Sequence, residues 1–371
     1  MICFIQIKRS ENQPHIGSAL CELTQRGKIG RGTVDITCHQ VLNDGTLKEI
    51  HPPTGGPWGG TVVDEEYFCF LEDLIGREAW KDFLENNKSE KLELESEFEK
   101  QKRDLGKDDK ISLKVGAIFT KACKKINAKY SSTVEVLNKK LKVDKSVVIG
   151  FFESPMNDII EHVERMFMKR SLRSVSTILM VGGFSESDLI KERIEQAFPG
   201  KNVIRPFDAS IAVLKGAVIF GHLPQTINER TSPRTYGVCV SVPFDSKVHP
   251  KKNLTITGGC EMATDIFRVM VKIGQPVKMG TTKVEHVFRP ASKYDTVATV
   301  ELYESTEESP KYTNDPRCRR LGILEVQIPD TTKGKERRIV VAAHFGHTEL
   351  KFTAAEEGTN HKAEATFDCL T

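Results

Sequence analysis

The amino-acid sequence predicts an α/β domain followed by an all-β domain. With 371 residues, of which 39% are hydrophobic and 28% charged, the chain is long enough to form two or three hydrophobic cores. As far as about residue 230, predicted strands alternate with predicted helices, which is typical of α/β layers. From residue 231 to residue 371 the sequence consists of short alternating segments separated by turn residues, which predicts a β-sandwich.

A β-hairpin is the first element predicted. Val34, Ile36 and Cys38 alternate with polar residues, so the strand has one apolar face. Asn43-Asp44-Gly45 is a turn sequence, and a second short strand follows at residues 47–50.

A helical insertion is predicted from about residue 65 to residue 145. The segment is densely charged, and Leu94, Phe98 and Leu105 fall on one helical face while the charges lie elsewhere. The sequence SVVIGFF, residues 146–152, then predicts a strand.

Two further helices are predicted before residue 200. Ser154 and Pro155 supply an N-cap and a first-turn proline for a helix with apolar residues facing inward. The strand at residues 177–181 ends on two glycines, and Ser185 is placed to cap the helix that follows, with Asp188 three residues later. A short strand at 202–204 and a helix ending near residue 222 complete the α/β part.

Charge and cysteine content restrict the functional classes. Lysine and arginine total 54 against 51 for aspartate and glutamate, a balance that argues against a nucleic-acid partner. The nine cysteines are scattered and form no C-x-x-C pair, which favours a reducing, cytoplasmic compartment over a disulfide framework or a zinc site. The sequence contains no apolar stretch long enough to predict a membrane span.

The glycine pair Gly182 and Gly183 is the first candidate site. Glycines between a strand and a helix allow a flat ligand or a phosphate to approach the backbone, and the helix directs its positive end to the same place. An ordinary tight turn is the alternative. A second alternative is a hydrolase, because residues 183–187 resemble the G-x-S-x-G nucleophile elbow with Ser185 as the nucleophile, although serine replaces the last glycine.

A second glycine cluster precedes the hairpin. Gly30, Gly32 and Thr33 present backbone N–H groups and a hydroxyl where a phosphate chain could lie, and Asp35 follows them in position to hold a metal-bound water.

The order of these motifs resembles that of a known family. GTVD (32–35), GGPWGG (55–60), FEKQKR (98–103), VGGFSES (181–187) and AVLKGAVIFG (212–221) follow one another as in the actin-like ATPase domain of the heat shock 70 kDa proteins. The resemblance is closest to the heat shock 70 kDa protein 12 subfamily and covers nearly the whole chain.

The resemblance implies a fold and a set of ligand contacts. Residues 28–230 would be the second lobe of a ribonuclease H-like ATPase domain, residues 1–27 a divergent N-terminal segment, and residues 231–371 a peptide-binding β-sandwich. The implied contacts to ATP or ADP with Mg²⁺ come from the phosphate loop, the adenosine-gripping helix and the adenosine motif, namely Gly30, Gly32, Thr33 and Asp35; Glu99, Lys102 and Arg103; and Gly182, Gly183, Phe184 and Ser185.

Two departures from the family pattern predict poor ATP hydrolysis. The leading aspartate and middle glycine of the family's second phosphate loop are Lys28 and Arg31 here, which removes a carboxylate and adds a bulky cation. The first lobe, with its D-x-G-[TS]-[TS] loop, is absent from the sequence, and phosphoryl transfer depends on clamping the phosphate from several sides.

Two functions remain open from the sequence. The first is a chaperone-like, stress-response protein that binds adenine nucleotide, extended polypeptide clients or co-chaperones, and hydrolyses ATP weakly or not at all. The second is a non-catalytic interaction scaffold that binds no nucleotide.

Overall fold

The computed structural model describes residues 3–9, 32–103, 105, 108–123, 126–346 and 349–368. The chain separates into two units, Met1–Val41 with Pro53–His222, and Leu42–Pro52 with Leu223–Thr371. The division at His222 lies a few residues before the predicted boundary at 230.

The first unit contains strands and helices in alternation. Strand β3 (Leu47–Gly56) begins in the second unit and ends in the first. Its strands are β1 (Cys3–Arg9), β2 (Val34–Val41), β3 (Leu47–Gly56), β4 (Lys110–Lys114), β5 (Val134–Leu137), β6 (Lys140–Asp144), β7 (Val175–Val181) and β8 (Asn202–Ile204). Its helices are α1 (Gly60–Ile75), α2 (Arg77–Asn86), α3 (Lys88–Gln101), α4 (Ala117–Ala122), α5 (Lys145–Gly150), α6 (Glu153–Phe167), α7 (Asp188–Ala197) and α8 (Ala209–His222).

The main sheet of this unit has the strand order β2-β1-β7-β8. β1 runs parallel to β2 and antiparallel to β7, and β7 is parallel to β8. β1 was not predicted, because its short apolar run carries no turn signal. The strand β2 is buried on both faces, since Thr37 and His39 are as inaccessible as Ile36, as expected for a strand inside a layered structure.

The predicted hairpin turn is confirmed. The N–H of Leu42 donates to the carbonyl of Thr46 at 2.9 Å, and Asp44 Oδ1 accepts from the N–H of Thr46 at 2.9 Å. Gly45 has a φ of +83°, a conformation that glycine adopts without strain.

The insertion is only partly helical, so the prediction of helix to residue 145 is wrong. Helices α1, α2 and α3 end at Gln101, which leaves Leu105 beyond the helix. A three-stranded antiparallel sheet of order β4-β6-β5 follows. Its sequence has period two: Ile111, Leu113 and Leu141 are buried, and the lysines between them face outward.

The predicted strand at residues 146–152 is also wrong. Residues Lys145–Gly150 form α5, directly after β6, and only Val148 of this helix is fully buried. A short apolar run without alternation does not distinguish a helix from a strand. The next helix, α6, is confirmed with Ile159, Val163 and Met166 buried, although it begins at Glu153 and lacks a side-chain cap.

The second unit is built mainly of antiparallel strands, with β9 pairing in parallel with β3 and antiparallel with β13. Its strands are β9 (Ile227–Thr231), β10 (Thr235–Pro243), β11 (Leu254–Thr257), β12 (Cys260–Val271), β13 (Pro276–Lys278), β14 (Lys283–Phe288), β15 (Val297–Ser305), β16 (Cys318–Gln327), β17 (Ile339–Phe345), β18 (Glu349–Glu356) and β19 (Lys362–Asp368). A five-stranded sheet of order β11-β12-β10-β15-β16 and a four-stranded sheet of order β14-β17-β18-β19 share one hydrophobic core.

A buried arginine fastens the loops beside this core. Arg337 is 3% exposed, and its guanidinium donates to the carbonyls of Lys293, Asp295, Ile328 and Gly334 at 2.6–3.1 Å. The planar guanidinium satisfies these acceptors from one position, which a lysine cannot do.

We expect Arg337→Met to lower the free energy of unfolding by about 3 kcal/mol, because it leaves buried carbonyls without donors. Urea unfolding followed by circular dichroism measures the change. Tryptophan fluorescence would not report on the second unit, because both tryptophans, Trp58 and Trp80, lie in the first unit. The matched control is Arg338→Met, at a half-exposed residue that pairs with Glu357. Equal stabilities for the two variants would contradict the assigned role.

Candidate functional site

The strand β7 ends because Gly182 turns the chain sharply. Gly182 has a φ of +87°, and its N–H donates to the carbonyl of Ala209 at 2.8 Å. A 3₁₀ turn over residues 183–186 follows, in which Gly183 and Phe184 are buried. Arg205 holds this turn from outside by donating to the carbonyl of Glu186 at 2.8 Å.

Ser185 does not cap the following helix, so that prediction is wrong. The helix α7 begins at Asp188 after Ser187, and no side chain caps it. Ser185 is fully buried, and its Oγ donates to the carbonyl of Gly182 at 2.6 Å. The hydroxyl is therefore taken up by a backbone carbonyl of its own turn, and the geometry gives the hydrolase interpretation no support.

Glycines also set the approach of the segment around Gly32 to the start of α1. The N–H of Gly59 donates to the carbonyl of Gly32 at 2.9 Å. A Cβ on Gly59 would lie 2.8 Å from the N of Thr33, and one on Gly32 would lie 2.5 Å from Thr61 Oγ1. Gly30, which was predicted to belong to the same loop, lies outside the described residues.

Asp35 lies in β2, close to the contact between Gly32 and Gly59. Its side chain is half-buried, and its Cα is 3.1 Å from where a Cβ on Gly55 would stand. Within the described ranges, no group of three or more histidine, cysteine, aspartate or glutamate side chains is arranged to hold a metal ion.

The end of α3 carries a buried lysine. Lys102 is 5% exposed, and its Nζ donates to both carboxylate oxygens of Asp64, at 2.7 and 2.9 Å, and to the carbonyl of Gly60 at 3.3 Å. The same Nζ lies 2.5 Å from Glu99 Oε2. One ammonium therefore joins two carboxylates from two helices.

Arg103 extends this network to the glycine pair. Its Nη2 donates to Glu99 Oε1 at 2.8 Å, and its Nη1 donates to Glu186 Oε2 at 3.3 Å. The Arg103 side chain is 41% exposed, so its guanidinium remains accessible to a ligand while it spans α3 and the turn at 183–186.

The two carboxylates around Lys102 differ in electrostatic character. Burial raises the pKa of Asp64, and the hydrogen bond from Lys102 opposes this only in part. Burial acts in the same direction at Glu99, but hydrogen bonds from Lys102 and Arg103 outweigh it and hold the pKa of Glu99 below its ordinary value. Glu99 is thus the carboxylate that is kept ionised.

These segments meet at Gly60. A Cβ on this residue would lie 3.3 Å from Lys102 Nζ and 3.5 Å from Phe184 Cδ2. The ring of Phe184 stacks on that of Phe152, at 6.3 Å between centroids, so it is a core side chain whose edge reaches the site. The structure therefore brings the surroundings of Gly32, the end of α3 and the turn after Gly182 together around the first turn of α1.

Several residues of this cluster were not predicted as site residues. Gly59 and Gly60 belong to the GGPWGG motif, whose glycine density was the available signal. Asp64 follows Gly60 by one helical turn, and Glu186 follows Ser185 directly, but neither stands out in a charge-rich sequence. Arg205 contacts the turn through carbonyl groups, which sequence patterns do not reveal.

No helix in the part of the chain that the structure describes combines the length and the apolar composition needed to cross a membrane.

Comparison with known proteins identifies the family. The sequence matches the Hsp70 protein family over residues 28–365. It is 29% identical to heat shock 70 kDa protein 12A of Homo sapiens, over 96% of this chain and 56% of that protein, and 30% identical to the Mus musculus protein over the same shares. Heat shock 70 kDa protein 12B of Homo sapiens is 30% identical over 92% of this chain and 53% of its own length. The chain spans just over half the length of these relatives, and it belongs to the Hsp70 family.

Proposed function

We propose that the chain is a chaperone-like protein that binds adenine nucleotide in its first unit. The observation that carries the proposal is the meeting of four segments, distant in sequence, around Gly59 and Gly60. Three of them contain motifs by which the sequence resembles the nucleotide-binding elements of the family.

The residues around Gly60 have the chemistry that a nucleotide requires. Gly59 and Gly60 are buried and let the start of α1 pack closely against its neighbours, while the half-buried Gly32 offers backbone to a phosphate or a ribose at close range. The ionised carboxylate of Glu99 is suited to accept hydrogen bonds from ribose hydroxyls. The accessible guanidinium of Arg103 can lie against the face of a purine.

Lys102 has a different role in this proposal from the one the resemblance implies. Its ammonium is almost fully buried between Asp64 and Glu99, so it positions the Glu99 carboxylate and does not cover the base. Phe184 and Ser185 likewise support the turn from inside, and Gly182 and Gly183, which are also buried, set its shape.

Bound Mg²⁺ would neutralise phosphate charge, and we assign to Asp35 the role of orienting a water of its hydration shell. We propose that hydrolysis is slow, because Lys28 and Arg31 replace the family's aspartate and glycine.

The second unit is proposed to bind extended polypeptide. Two sheets that share a core leave β11 and β16 as the outer strands of the five-stranded sheet. An outer strand can accept an added strand through hydrogen bonds of its backbone. Leu254 and Ile256 of the outer strand β11 are exposed and would offer apolar contacts to that strand. A cytosolic chaperone of the stress response, with clients or co-chaperones as partners, fits this arrangement.

We expect ATP or ADP with Mg²⁺ to raise the melting temperature of the chain. A ligand present at a hundred times its dissociation constant adds about 2.7 kcal/mol to the free energy of unfolding. Trp58, next to Gly59, should change its fluorescence at the same time, and Trp58→Phe should abolish that signal because Trp80 is buried. No change at millimolar nucleotide would favour the scaffold that binds no nucleotide.

We expect Arg103→Ala to weaken nucleotide binding by about tenfold. The substitution removes the guanidinium, which is the one side chain proposed to lie against the face of the base. Arg77→Ala is the matched control, since the Arg77 side chain is 92% exposed at the start of α2. Titration by Trp58 fluorescence measures both variants. Equal affinities for them would exclude Arg103 from the site.

The stability contribution of Glu99 should depend on pH. Its pKa is lowered in the folded protein, so its ionised form stabilises the fold above the ordinary glutamate pKa of about 4.3, and this contribution is lost as the pH falls through the lowered value. The melting temperature of Glu99→Gln should therefore lie below that of the wild type at neutral pH and approach it in acid. Glu85→Gln, at an exposed site on α2, is the control. A difference that does not vary with pH would contradict the assignment.

A further inference from the structure

The outer face of the three-stranded sheet β4-β6-β5 carries a concentrated positive charge. Leu137, Lys140 and Lys114 lie directly opposite one another across the three strands, so their side chains share the outer face. Lys142 lies on the same face one row further along, and Lys139 is exposed in the adjoining turn. We call these four lysines and Leu137 the lysine face.

The positive charges of the lysine face are compensated only in part, because Glu135 lies directly opposite Lys142 on the same face, whereas Lys140 lies between Lys114 and Leu137. None of its four lysines forms an ion pair with a described residue, whereas Lys110, at the other end of β4, pairs with Asp144 at 3.7 Å. Lys114 and Lys140 are direct cross-strand neighbours, and like charges in that position destabilise a sheet. The arrangement costs stability in the isolated chain and becomes favourable when an anion binds.

The lysine face lies on a regular, hydrogen-bonded sheet. Asn138 and Lys139 have φ angles of 49° and 59°, the left-handed conformation of a tight two-residue hairpin turn between β5 and β6. The N–H of Val115 donates to the carbonyl of Lys139 at 2.9 Å, which continues the ladder past the end of β4. The opposite side of the sheet is buried through Leu113 and Leu141.

We propose that the lysine face is a docking surface for an acidic polypeptide segment that contains an apolar side chain. The charge complementarity selects an anion, and Leu137, which is 49% exposed in the same row as two lysines, offers an apolar contact. Three strands span about 10 Å, which matches a short segment of chain.

The surroundings of the lysine face disfavour larger anions. Helix α3 packs against β4, and acidic residues outnumber basic ones in α1, α2 and α3. A nucleic-acid backbone or an anionic bilayer extends beyond the sheet and would meet this acidic surface, whereas a short peptide would not.

The test uses the full chain and a fluorescein-labelled heptapeptide of glutamates with a central leucine, with anisotropy as the readout. We expect binding at about 50 mM salt that weakens at about 300 mM. Lys114→Glu and Lys140→Glu should each lower the affinity by about tenfold or more, whereas Lys81→Glu, at an exposed lysine of α2, should not. Leu137→Ser should weaken binding of this peptide but not of one with a central glutamine.

The same variants separate binding from folding. Lys140→Glu removes a repulsion with Lys114, so its midpoint of urea unfolding should equal or exceed that of the wild type while binding is lost. The proposal is overturned if Lys114→Glu and Lys140→Glu bind the peptide as Lys81→Glu does. It is also overturned if a single-stranded oligothymidylate or phosphatidylserine vesicles bind more tightly than the peptide through the same lysines.

Discussion

The buried ammonium of Lys102 is the interaction on which the candidate site depends. It joins the end of α3 to the first turn of α1 through Glu99, Asp64 and the carbonyl of Gly60. A buried cation is tolerated only when its partners are well placed, and the loss of one partner leaves an uncompensated charge. The position of Lys102 therefore fixes the orientation of Glu99, and through Glu99 that of Arg103.

Close backbone approach is the second requirement, and it explains the distribution of glycines. Gly59 allows α1 to begin against Gly32, where a side chain would collide with the backbone, and Gly60 leaves room for the ammonium of Lys102. Gly182 serves a different purpose, because its positive φ turns the chain away from β7. Two glycine-rich motifs that look alike in sequence thus have different roles. One allows close packing because it lacks side chains, and the other allows a positive φ angle.

Prediction from sequence succeeded where one physical signal dominated. Alternation identified β2, and helical periodicity identified α6 and α7. It failed for residues 110–144, where the high lysine content concealed a period of two, and for Ser185, whose hydroxyl is used by a nearer carbonyl. The predicted ligand contacts of Glu99, Lys102 and Arg103 came from the resemblance. Their partners Asp64 and Glu186 are defined only by the three-dimensional fold, because both are ordinary charges in a charged segment.

Total charge proved a poor guide to the surface of this protein. The chain has a formal net charge of +3, which suggests no preference for an anionic partner. Within the insertion, however, acidic residues predominate in α1, α2 and α3, and lysines predominate on the outer face of the adjoining sheet. Because charges on a surface act over roughly a Debye length of about 8 Å, a partner responds to this local separation and not to the sum. The same separation places the carboxylates that hold Lys102 on the acidic helices and leaves the sheet free to attract an anion.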